Sequence, residues 1–193
     1  MQKFNVDIKR NSSSAQIPAG AYVAKIMGAR EVVYSWGSRL EISFDITEGE
    51  YKDFFANKYR NDDSENKKWK GVYRLTVPQV GNQYYENQVK TFGNAMACIE
   101  ESNDGYSWNW DENSLKGLSV GVLFRDEEYD IDGRRGWASQ CFALLSVEEV
   151  QQGKFRVPQP KALKETHQPS TFPSANAPSW TNANITVDDD LPF

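Results

Sequence analysis

Leu40-Glu41-Ile42-Ser43-Phe44-Asp45-Ile46-Thr47 alternates apolar and polar side chains with a period of two. That is the pattern of a half-buried β-strand, whose successive side chains point to opposite faces of a sheet. Working outward, residues 22–33 read as the preceding strand, and Ser35-Trp36-Gly37-Ser38 as the turn between the two. Residues 51–60 read as a third strand and 71–77 as a further short one. Residues 118–129 and 137–147 flank Asp130-Ile131-Asp132-Gly133-Arg134-Arg135-Gly136 and read as a long hairpin. Between 83 and 101 the period changes. Val89, Phe92, Met96 and Ile99 recur at spacings of three and four, which is one apolar face of a helix. This order predicts a mainly β fold: an OB-like five-stranded Greek-key barrel with one helix between its third and fourth strands. The short strand at 71–77 is expected as an insertion in that plan.

The composition divides the chain in two. Apolar residues make up 39% of the 193 and aromatics 13%, enough for one core with rings to spare. From Pro158 onward, prolines 158, 160, 169, 173 and 178 are set among Ser, Thr, Asn, Gln and Ala. Little there can be buried, so 1–157 is expected to be an ordered domain and 158–193 a disordered linker with an acidic tip. The opening MQKFNVDIKRNSSS has no signal-peptide core, and no apolar run approaches the roughly 20 residues of a membrane span. The reading is a cytoplasmic protein without a membrane partner. Cys98 and Cys141 lie in the apolar stretches AMACI and QCFALL, where buried, reduced thiols are expected.

Several chemistries lack their residues. The single histidine, His167, falls in the linker, so a Ser-His-Asp arrangement has no base. No Gly-rich phosphate loop followed by Lys and Ser or Thr occurs. Two cysteines 43 positions apart make no zinc spacing, and Asp130-Ile131-Asp132-Gly133 lacks the downstream Glu of a calcium loop, position 141 being Cys. Neither a metal, a cofactor nor catalysis is expected; a metal-dependent nuclease built on Glu127-Glu128 is the weakest reading.

The rings and cations point elsewhere. Between 51 and 74 lie Lys52, Lys58, Arg60, Lys67, Lys68, Lys70 and Arg74, against Asp53, Asp62, Asp63 and Glu65. Interleaved with them are Tyr51, Phe54, Phe55, Tyr59, Trp69 and Tyr73. Single strands are held by this pairing, cations following phosphates while flat rings take unstacked bases. Tyr34, Trp36 and Arg39 repeat the pattern around the first turn, as do Arg134, Arg135 and Trp137 at the hairpin. Read as a strand, Phe54 and Phe55 point to opposite faces, and Trp36 and Trp69, flanked by polar residues, are expected to be exposed. The net charge of −5 requires that any phosphate-binding field be local.

The last six residues, Asp188-Asp189-Asp190-Leu191-Pro192-Phe193, resemble the acidic tip of bacterial single-stranded DNA-binding proteins, with Leu191 in place of the usual Ile. The body resembles a family of phage-encoded proteins found beside replication and recombination genes. The likeness runs through Phe4-Asn5-Val6-Asp7, residues 17–26 (IPAGAYVAKI), residues 44–52 (FDITEGEYK), residues 116–121 (KGLSVG) and Phe155-Arg156-Val157-Pro158. The resemblance implies an OB-like binder of single-stranded DNA, and a tip whose Phe ring and carboxylate dock on replication or recombination proteins of phage or host. Self-association is compatible with it. The alternative function is a protein-binding adaptor that competes for host tail-binding pockets without touching DNA.

Overall fold

The computed structural model describes residues 16–163. The linker beyond 163 and the tip residues Asp188, Asp189, Asp190, Leu191, Pro192 and Phe193 lie outside the described residues, as does Phe4-Asn5-Val6-Asp7.

Five antiparallel-paired strands form one open sheet: β1 (Gly20–Tyr34), β2 (Gly37–Ile46), β3 (Val72–Thr76), β4 (Ser119–Ile131) and β5 (Arg134–Leu145). They lie side by side in the order β3-β2-β1-β4-β5. The alternating stretch holds the centre: Leu40, Ile42, Phe44 and Ile46 are all buried, meeting Ile26, Leu75, Val120 and Val122. β1 serves two neighbours, pairing β4 through residues 20–25 and β2 through residues 24–34. Each long hairpin carries an irregularity, at Met27 opposite β2 and at Phe142 opposite β4. An extra residue of this kind bends a strand and strengthens its twist. β3 and β5, the two edges, both run antiparallel to strands that are themselves antiparallel to β1, so they run parallel to each other. They approach within 8 Å between Cα atoms without a shared ladder.

Three helices complete the body: α1 (Phe54–Arg60), α2 (Tyr85–Glu101) and α3 (Val147–Gln151). α2 turns Phe92, Ala95, Met96 and Ile99 into the core and packs on β3, β4 and β5. Val89, expected on that face, is exposed. α3 starts with a capping box, Ser146 Oγ accepting from Glu149 N while the Glu149 carboxylate accepts from Ser146 N.

Two strand expectations are corrected. Residues 51–60 are not a third strand: a turn leads into α1. The cause lies in β2. Asp45, which the alternation placed on the polar face, is buried, and its carboxylate accepts from Ile46 N and Phe55 N through Oδ1 and from Ala56 N through Oδ2, each at 2.9 Å. Asp53, the residue at the N-cap, is in the left-handed region (φ 58°) and makes no side-chain cap. The orphan amides of the first helical turn are therefore satisfied from a neighbouring strand. The second correction follows. Residues 72–76 are no insertion but the third strand of the sheet, pairing β2 from Arg39↔Thr76 to Ser43↔Val72.

The chain just before residue 164 also differs from a free linker. Lys161 bridges β4 beside Glu127, donating its N–H to Asp126 O and accepting from Glu128 N, both at 2.9 Å. Among the described residues, no helix is long and apolar enough to cross a membrane.

Candidate nucleic-acid interface

The unpaired edges of β3 and β5 bound the site. With α1 fixed by Asp45, Phe55 enters the core and meets Phe44 edge-on at 5.6 Å, while lying nearly parallel to Phe124 at 6.2 Å. Phe54 stays half-buried beside it, with the Lys58 ammonium 5.8 Å from its ring centre. The adjacent pair thus divides between core and surface because it opens a helix, not because it lies in a strand. The chain then returns to β3 through Trp69, Lys70 and Gly71. Gly71 is the point of closest approach: a Cβ there would lie 2.4 Å from Phe44 O and 2.7 Å from the Phe55 ring. Only glycine allows that contact.

A cavity of about 330 Å³ opens between the two edges. Phe44, Phe55 and Phe124 line its apolar part, and Ser139 and Gln140 belong to the β5 wall. Phe54, Lys58, Lys68, Trp69, Lys70 and Arg74 surround it from α1, the following loop and β3. Among the described residues no carboxylate lines it, although the chain carries 27 acids against 22 Lys and Arg. Lys58, Lys68 and Lys70 make no salt bridge among the described residues, and Arg74 is held by Glu41 at 3.1 Å. Arg30 binds the same carboxylate at 2.8 Å, and its hydrogen bond is the chief reason that the Glu41 pKa lies below the usual carboxylate value.

The expected residues fall into three groups. Six share the cavity: Phe54, Lys58, Lys68, Trp69, Lys70 and Arg74. Tyr59 and Lys67 adjoin it, the Tyr59 ring 5.9 Å from Trp69 and the Lys67 ammonium 4.9 Å from Tyr59. Lys52 and Arg60 are exposed and do not line it. Trp69 is not the exposed loop ring that its neighbours implied. It is half-buried, packs on the core, and donates its indole N–H to Phe44 O and Gly71 O, both at 3.1 Å. It presents a fixed ring at the cavity wall.

A second group sits on the β1–β2 hairpin. Tyr34 and Trp36 stack at 5.0 Å with 8° between their planes, and the Arg39 guanidinium lies 4.7 Å from the Trp36 ring centre. Both rings are exposed, as expected for Trp36. The third group is on the β4–β5 hairpin: Arg134 and Trp137 are exposed, and Arg135 pairs with Asp130 at 3.0 Å. The Trp137 carbonyl accepts from the side chain of Gln16, itself a cavity residue.

Both cysteines are free. Burial pushes the Cys98 thiol up to about 11, with Glu149 and Glu101 adding to it, and burial raises Cys141 as well. Neither is poised to react.

No family model matches the chain, and no curated protein matches it.

Sequence reasoning missed the β5 wall, since Ser139 and Gln140 reach the cavity only through the sheet order. It also missed an aromatic group beside α2, where Trp110 stacks on Phe92 at 6.1 Å with 8° between planes and Trp108 lies 6.4 Å from Phe92. The Trp108-Asn109-Trp110 spacing was the available signal.

Proposed function

We propose that this protein binds single-stranded DNA without sequence preference, in phage replication or recombination, within the host cytoplasm. One observation carries the reading: in an acidic chain, the cavity between β3 and β5 is lined by four cations, Lys58, Lys68, Lys70 and Arg74, two accessible rings and, among the described residues, no carboxylate. Phosphates of a flexible strand need such a local positive field, and Phe54 and Trp69 offer faces on which its bases stack. The stacked pair on the β1–β2 hairpin and Trp137 extend the ring surface.

The strand order supports the finer fold reading. An OB barrel joins its strands as 1-2-3-5-4-1 with a helix between the third and fourth. Here every one of those neighbours is present except 3-5, and α2 occupies the helix position. We take the fold as an OB-like barrel whose β3–β5 seam is open, with the cavity in that seam. The acidic tip Asp188–Phe193 then recruits replication or recombination proteins while the body holds the strand. No metal or cofactor enters this function, and no reaction is catalysed.

Fluorescence anisotropy with a labelled poly-dT oligonucleotide tests the reading. The parent is expected to bind, and Lys68→Glu/Lys70→Glu to weaken binding at least tenfold while keeping its melting temperature. Absence of binding by the parent would favour the adaptor; loss of the labelled strand only when magnesium is added would favour a nuclease.

A further inference from the structure

The groove leaves one exposed feature unused. Trp110 is 77% exposed, with its ring laid parallel to Phe92 so that one face is covered and the other open. Its backbone is in the left-handed region, φ 65°, which costs a bulky residue energy and persists only where the surroundings impose it. They do so on both sides. The Asn109 side chain accepts from Asp111 N at 3.1 Å, and Asp111 accepts from Asn113 N at 3.0 Å, opening a short 3₁₀ turn at Glu112–Leu115. On α2, Tyr85 and Val89 precede Phe92 at spacings of four and three and are also exposed, so an apolar stripe runs up to the indole.

The chain segment that carries this surface is opposite in charge to the groove. Residues 83–117 carry Glu86, Glu100, Glu101, Asp104, Asp111 and Glu112 against Lys90 and Lys116, six acids to two bases. Such a field repels phosphate. It attracts cations, and an open indole face is the best aromatic seat for one. We infer that the Trp110 surface is a second docking site, separate from the groove, that takes a basic polypeptide segment, an Arg or Lys side chain lying over the Trp110 ring with Asp111 and Glu112 as its counter-charges. The protein then engages a basic protein partner on α2 while its groove remains free.

The probe is a fluorescein-labelled peptide of eight residues alternating Gly and Arg, titrated into the full chain by anisotropy. Saturable binding is expected, weakened at least threefold by Trp110→Ala, less by Trp110→Phe, and at least threefold by Asp111→Asn/Glu112→Gln. Circular dichroism melts verify that each variant is folded. A peptide that fails to bind the parent, or binds Trp110→Ala equally well, overturns the inference. So does a Trp110→Ala variant that instead loses affinity for labelled poly-dT, since that makes the surface part of a nucleic-acid path. The peptide titration contains no nucleic acid, so its outcome is independent of whether the groove binds DNA.

Discussion

Replacing Asp45 should damage the groove through α1, although Asp45 itself does not line it. The carboxylate receives three backbone N–H groups at 2.9 Å, two of them from the first turn of α1, and it is only 6% exposed. In Asp45→Asn one oxygen remains for Ile46 and Phe55, but the new amide NH₂ faces the Ala56 N–H, donor against donor. One charge-assisted hydrogen bond is lost, worth about 1.5–3 kcal/mol. For a domain of this size that is a fall in melting temperature of roughly 3–12 °C, taking about 2–4 °C per kcal/mol. Asp45→Ala leaves all three donors unsatisfied and should cost more, about 3–5 kcal/mol, with N-cap losses alone reaching about 2. Urea unfolding measures both changes. Affinity for poly-dT, measured at a temperature where Asp45→Asn stays folded, should fall several-fold because Phe54 and Lys58 ride on α1. Asp45→Ala unfolding within about 0.5 kcal/mol of the parent, or an affinity that is unchanged while α1 amides exchange faster, would rule out this role for Asp45.

Five further outcomes are expected. Trp36→Ala should weaken poly-dT binding by about 1–3 kcal/mol with little change in melting. Trp69→Ala should weaken binding and also lower stability, because its ring packs on the core and its N–H is bonded twice; equal melting of the two variants would contradict this placement. Glu41→Gln should free Arg74 and raise affinity for poly-dT, most visibly at low salt, an effect that vanishes in an Arg74→Ala background. The same carboxylate has a lowered pKa in the folded state, so its contribution to stability is complete above the unfolded value and is lost as pH falls through the folded one. A parent–variant stability difference that grows with acid would oppose that sign. With Cys98 near 11, about one thiol in a thousand is ionised at pH 8, and a thiol reagent should react slowly with native protein and promptly after unfolding.

Much of the fold was legible because it follows from alternation. The period of two at 40–47 gave β2 and its buried set, and the two long hairpins followed from the turn segments 35–38 and 130–136, the second of which narrows to Asp132-Gly133 in the structure. The helix was equally plain, since α2 packs one face on the sheet. Residues 51–60 were misread because Tyr, Phe and Lys favour neither state strongly over ten residues. A cap supplied by Asp45, eight positions before the helix's own N-cap residue, has no local signature. That error displaced β3 from the sheet and hid the fact that Gly71 is required by close packing. For the site, the sequence located the cations, because clustering along the chain is visible. It did not separate a wall ring from a free one: the bonds that hold Trp69 come from Phe44, 25 positions away, and from Gly71.

The central claim is that the seam between β3 and β5 follows phosphates, and the salt dependence of poly-dT affinity tests it most directly. If Lys58, Lys68, Lys70 and Arg74 each neutralise one phosphate, the logarithm of the association constant should fall against the logarithm of salt with a slope of about −2.8, at about −0.7 per contact on a single strand. That amounts to roughly a fiftyfold loss between 50 and 200 mM salt, and Lys68→Glu/Lys70→Glu should flatten the slope by at least 1.4. An affinity that stays level across that range, or a slope that the double substitution leaves unchanged, would contradict the account.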